Sequence, residues 1–91
     1  MKFEWDESKA ARNLRKHSVS FDEATTIFGD PFAITYPDPG HSIEEVRFLT
    51  FGHTSSGRLI VVSHTDRGDK IRIISAREMT RKERNDYEQI K

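Results

Sequence analysis

Four histidines, His17, His41, His53 and His64, are the side chains of this 91-residue chain that ordinarily titrate near neutrality and could therefore move protons. Each also has a plain structural reading. His17 follows Lys16 at the end of a helical segment, where a cationic neighbour favours the neutral imidazole a general base needs; it equally suits a helix C-terminal cap. His41 lies in a Pro/Gly loop three residues after Asp38, which makes a hydrogen-bonding pair, half of a metal site, or an ordinary surface loop. His53 and His64 fall in strand-like runs, where a structural role is the default. No HxH or HExxH spacing ties them to a metal, and the absence of cysteine excludes disulfides and Cys-ligated zinc. There is no nucleophile elbow, phosphate loop or GxGxxG.

Arginine is the other chemical signal. Net charge is zero, from 15 basic and 15 acidic side chains, which argues against a generic polyanion binder. The charges are not evenly spread. Residues 1–17 carry +2, residues 18–45 carry −6 with no cation, and residues 46–77 carry +4. The last excess comes from Arg47, Arg58, Arg67, Lys70, Arg72 and Arg77, mostly the side chain suited to bidentate phosphate contact. The bland alternative is that they solvate an open sheet face. Arginines, a few histidines and no metal ligand set are compatible with metal-free cleavage of RNA. There the 2′-hydroxyl is the nucleophile, arginines stabilise the developing charge, and a His, Glu or Lys moves protons. Aromatic or guanidinium planes would hold an unstacked base.

The elements that must position these residues read clearly. At 10.6 kDa the chain is expected to be one small domain over residues 1–91, and a mean hydropathy of −0.74 predicts a thin core. No apolar stretch reaches the length of a membrane span and Met1–Asp6 lacks a signal-peptide core, so a cytoplasmic protein is expected. Residues 2–5 predict a strand. Asp6 is an N-cap for a helix over 7–17 with Ala10, Ala11 and Leu14 as its apolar stripe. Ser20-Phe21-Asp22-Glu23 is a capping box opening a second helix whose Phe21, Ala24, Ile27 and Phe28 share a face. Gly29-Asp30-Pro31 stops it. The period then changes to two, with strands over 32–36, 45–53, 58–65 and 70–77 and turns at 54–57 and 66–69. Thr80-Arg81-Lys82-Glu83 is a second capping box, opening a helix to about Ile90. The predicted fold is α+β, order β-α-α-β-β-β-β-α, a small antiparallel sheet with the helices on one face. Strand alternation alone does not assign the open face.

These motifs carry a resemblance. Phe3-x-Trp5-Asp6-x-x-Lys9, Asn13-x-x-Lys16-His17-x-Val19-Ser20-Phe21-x-Glu23-Ala24 and Phe28-x-Asp30 resemble the opening of the BrnT family of toxins, a DUF497-type domain. Asp38-x-x-His41, Glu45-x-Arg47, Gly52, Gly57-Arg58, Thr65-x-Arg67, Ile71-Arg72-Ile73-Ile74-Ser75-Ala76-Arg77, Glu83-Arg84 and Tyr87-Glu88 continue it over nearly the whole chain. Ser18 departs, standing where the family usually has glycine. The resemblance implies a RelE-like fold and a type II toxin that cleaves RNA and arrests growth. It also implies a BrnA-like ribbon-helix-helix antitoxin, through which the complex reaches its operator DNA.

On matched motif positions and charge placement, Arg47, Arg67 and Arg77 are expected to contact the phosphate and its transition state. Lys16 and His17 are expected as proton-transfer or phosphate groups, and Glu45 as base or arginine-orienting group. Arg58, Arg72 and Tyr87 are expected as further substrate contacts. No cofactor or metal is expected, and no membrane. The structural alternative is ion pairing within the sheet, Arg77 with Glu45 for example. Two other functions are carried alongside. One is an inactive module that only binds a ribbon-helix-helix partner. The other, weaker one is a metal-dependent nuclease using Asp38, His41 and another histidine.

Overall fold

The computed structural model of the chain describes residues 1–41 and 45–90. Its strands are β1 (Lys2–Glu4), β2 (Ile34–Pro37), β3 (Arg47–His53), β4 (Leu59–Arg67) and β5 (Lys70–Glu78). Its helices are α1 (Glu7–His17), α2 (Phe21–Thr25) and α3 (Arg81–Ile90), with 3-10 turns at Thr26–Gly29 and Pro39–His41. The α+β class and the element order are those expected. Phe32 is exposed and lies before β2 rather than in it.

The strands form one sheet in the order β1-β5-β4-β3-β2. β2 to β5 make the antiparallel meander that short turns require, but β1 runs parallel to β5, pairing Lys2 with Lys70 and Glu4 with Arg72. The sheet is therefore mixed: the helices after β1 carry the chain to the far edge, where β2 starts the meander that returns to β1 as its parallel neighbour β5. Gly68, at φ +63, takes the first central position of the two-residue β4–β5 turn, where type II′ geometry calls for glycine.

Register assigns the faces that alternation could not. Ser63 pairs with Ser75 but His64 pairs with Ile73, so Ile74 is an extra residue, a β-bulge. The bulge puts Ile71, Ile73 and Ala76 on one face and Lys70, Arg72, Ser75 and Arg77 on the other. On the first face, Ile60, Val62, Ile73 and Ala76 are buried with Val19, Phe21, Ala24 and Ile27 from the α2 region. On the second, Val61 is buried with Met79 and with Tyr87 of α3, flanked by Ile34, Leu49, Phe51 and Leu59. The helices thus do not share one face. α3 turns back across the second face because half of it is apolar and needs a cover.

α1 also differs from expectation. Leu14 is half exposed, and the buried residue of the helix is Asn13. The reason is what α1 covers. β1 guards the edge of β5 only as far as Arg72, and beyond the bulge α1 lies against that edge. There Asn13 Nδ2 donates to Ala76 O (2.8 Å) and to Val19 O (2.9 Å), and Asn13 Oδ1 accepts from Ala76 N (3.0 Å). A sheet face selects a hydrophobic residue, but a sheet edge presents backbone polar groups and selects an amide.

Candidate active site

α3 covers only one end of the second face. The other end is open, and its residues form a row across four strands. Arg47 pairs with Thr65, Thr65 with Arg72, and Arg72 with Glu4. Arg72 Nη1 donates to Glu4 Oε2 at 2.8 Å. Just outside β3, Glu45 bridges two arginines, 3.4 Å from Arg47 Nε and 3.5 Å from Arg67 Nη2. Asp38 N donates to Arg47 O at 2.9 Å, fixing the backbone of that strand end.

Between this open end and α1 lies a cleft of about 400 Å³ lined by Lys9, Arg12, Lys16 and His17 from the helix and by Arg47 and Ser75 from the sheet. The chain builds it from three local features. Asp6 caps α1 by accepting from Ser8 N and Lys9 N, Asn13 fixes the helix rotation, and Ser18 ends the helix in the left-handed region at φ 57, ψ 31. Ser18 therefore takes the conformation that glycine favours at this point, and its N–H closes on Leu14 O (2.9 Å). The departure from glycine leaves the turn in place, and His17 stands half-buried at the cleft's end.

Of the residues expected at a site, the structure brings together Lys16, His17, Arg47, Glu45 and Arg67, with Arg72 farther along the row that Arg47 begins. It does not bring the other three there. Arg77 lies at the covered end, gripped through Nη1 (2.7 Å) and Nη2 (3.0 Å) by both oxygens of Glu83. These bonds, ahead of the cost of burial, raise the guanidinium's affinity for its proton and hold the Glu83 carboxyl down at about 2. Arg77 and Glu45 are not partners. Arg58 ties the α1–α2 turn to the sheet through Ser18 O (2.9 Å) and Glu23 (2.8 Å).

Tyr87 is 2% exposed, a core residue under α3. Its hydroxyl donates to Asp30 Oδ2 (3.2 Å), and burial together with the Asp30 charge pushes it up to about 12. That Asp30 carboxylate also accepts from His53 N (2.8 Å) and Phe32 N (2.9 Å). Burial opposes its ionisation, but these bonds prevail and hold it below the ordinary aspartate range. A Cβ on Gly52 would come within 3.1 Å of the same carboxylate.

His53 and His64 are held within the frame. His64 is buried between Phe28 and Phe48, its Nε2 2.7 Å from Thr50 Oγ1, and desolvation pushes its pKa down. His53 is held by Asp30. The side chain of His41 lies outside the described residues, and among those described no group of three His, Asp or Glu side chains could hold a metal ion. No described helix is long and apolar enough to cross a membrane. Reading the sequence for site residues missed Lys9 and Arg12 as cleft cations. The signal was their spacing with Lys16, at i, i+3 and i+7 on one helix.

Comparison with known proteins bears on the fold and the family. A search of curated proteins gives no match. The crystal structure of the Brucella abortus ribonuclease toxin BrnT has a similar fold, with a TM-score of 0.70 and 24% sequence identity, covering 89% of this chain and 99% of that one. The family model described as "Ribonuclease toxin, BrnT, of type II toxin-antitoxin system" matches residues 5–83. The chain belongs to the BrnT family of ribonuclease toxins of type II toxin–antitoxin systems.

Proposed function

We propose that this chain is a metal-independent endoribonuclease, that it works in the cleft between α1 and the open end of the sheet, and that a BrnA-like ribbon-helix-helix antitoxin neutralises it. DNA would be reached only through that partner, and the working compartment would be the cytoplasm. The observation that carries the reading is the convergence of Lys16, His17 and Arg47 on one cleft, with Glu45 linking Arg47 to Arg67.

In this reading the scissile phosphate lies against Arg47, with Arg67 and Arg72 adding positive potential. Glu45 holds two of those guanidinium groups in place, which suits an orienting role better than a basic one. His17, the imidazole on the cleft, takes the 2′-hydroxyl proton. The 2′-oxygen attacks phosphorus and the P–O5′ bond breaks. Lys16 returns a proton to the leaving 5′-oxygen, giving a 2′,3′-cyclic phosphate and a free 5′-hydroxyl. Preorganised cations act where the phosphorane charge develops.

The test is cleavage of single-stranded RNA by purified protein in EDTA, with Arg47→Ala and Lys16→Ala purified identically. Cleavage by wild type, with cyclic-phosphate ends and strong loss in both variants, is the expected result. Cleavage that vanishes in EDTA, or that survives in both variants, refutes the reading. No cleavage by any sample favours the inactive partner-binding module.

A further inference from the structure

The cations of this chain divide by whether a carboxylate answers them. On the sheet, Arg67 and Arg72 meet Glu45 and Glu4 at the open end, while Arg58 and Arg77 meet Glu23 and Glu83 elsewhere. On α1, Lys9, Arg12, Arg15 and Lys16 make no salt bridge among the described residues, and α1 has a single acid, Glu7, in its first turn.

Three of those four line the cleft, and Arg15 does not. At 3.6 residues per turn, Lys9, Arg12 and Lys16 fall within an arc of about 60°, whereas Arg15 points about 120° from Lys9. The Asn13 clamp on Ala76 fixes which way that arc faces. The arginines of the sheet each meet a carboxylate, whereas among the described residues no salt bridge relieves the repulsion among these three cations, beyond the attraction of the N-cap Asp6 on Lys9. A polyanion would relieve it. From Lys9 to Lys16 is about 10 Å of helix axis, close to three steps of a stacked strand at about 3.4 Å per phosphate.

We propose that Lys9 and Arg12 form a backbone-binding subsite that grips single-stranded RNA two or three nucleotides from the phosphate held at Arg47. The helix is then a track, and the preferred substrate is a strand long enough to reach its N-terminal half. This rests on the ribonuclease reading, and the experiment separates the two.

The probe is a fluorescent, non-cleavable 2′-O-methyl RNA 12-mer, its binding followed by anisotropy from low to moderate salt. Lys9→Ala/Arg12→Ala is compared with wild type and with Arg15→Ala, the same helix's outward cation. All three positions are exposed, and thermal melting verifies folding. For two lost phosphate contacts the slope of log K against log salt should shrink by about 1.4, with affinity falling about tenfold at low salt. Arg15→Ala should match wild type. An unchanged slope in the double variant, equal loss per charge in Arg15→Ala, or equally strong and equally affected binding of duplex DNA overturns the track. If the binding result holds but unmodified RNA is never cut, the subsite stands and the ribonuclease reading fails. If RNA is cut but the slope does not move, the reverse is true.

Discussion

The second face of the sheet has two halves that use the same residue type in opposite ways. At the covered half, Arg77 is locked by both oxygens of Glu83, which also accepts from Thr80 N at 2.8 Å and so completes the capping box of α3. Beside it Asp30, His53 and Tyr87 hold one another under the helix. At the open half, Arg47 and Arg67 both reach the Glu45 carboxylate at longer range, and Arg47 faces cations on α1 that make no salt bridge among the described residues. The contrast bears on which arginines the proposed reading needs. An arginine gripped by both oxygens of one carboxylate is part of the frame; an arginine that lines the cleft is the one to which the proposed reading gives a phosphate.

The two capping boxes sharpen the point. Thr80 and Glu83 form the reciprocal pair, whereas Ser20 Oγ accepts from Glu23 N and Glu23 turns away to Ser56 and Arg58. The same four-residue pattern has two outcomes because an arginine in a different place competes for each glutamate.

The largest expected effect is on chemistry. Arg47→Ala should lower RNA cleavage about 10²- to 10³-fold, the loss typical of one preorganised charge-stabilising donor, while the melting temperature barely moves. The comparison breaks if Arg77→Ala costs as much activity per folded molecule. Next, Asn13→Ala strands the backbone groups of Ala76 and the Val19 carbonyl. It should cost about 3 kcal/mol in denaturant unfolding, with loss of RNA affinity following from the loosened α1. Retained stability would mean that water replaces the amide.

Arg77→Ala should cost about 1 kcal/mol, discounted because the pair is partly exposed. Its pH signature is specific. The Glu83 carboxyl is depressed from 4.5 to about 2. The stability it contributes is complete above pH 4.5 and disappears as pH falls towards about 2. Acid titration of unfolding should therefore flatten in Glu83→Gln over that window, and an unchanged titration removes the pair from the frame. The smallest effect is at Ser18. Glycine there should stabilise the protein by about 0.5–1 kcal/mol by relieving the left-handed strain. A decrease in stability would show that Ser18 contributes more than its backbone.

Much of the fold was legible. Caps at Asp6, Ser20 and Thr80, turns at Gly57 and Gly68, and the inward set Phe21, Ala24 and Ile27 all follow from local rules, and the structure has them. The faces were not legible, for a definite reason. One extra residue at Ile74 shifts the alternation midway through β5, so an amphipathic strand reads as a mixed one. The parallel pairing of β1 with β5 and the burial of Asn13 depend on contacts across more than 60 residues, which no short-range pattern carries. At the site, residue types were readable but allegiances were not. Whether Arg58, Arg77 and Tyr87 serve substrate or scaffold turns on Glu23, Glu83 and Asp30, each brought in by tertiary packing.

The seat of α1 on Ala76 also imposes an order in time. The helix is synthesised 63 residues ahead of the backbone groups it must meet, which belong to residue 76. At roughly 5–20 residues per second, several seconds separate the two. Through that interval the basic helix has no edge to lie on and the cleft has one wall. On the proposed reading, a nascent chain could not cut RNA before residue 76 has been made and α1 has seated, and that delay would give a neutralising partner time to be present before the cleft exists.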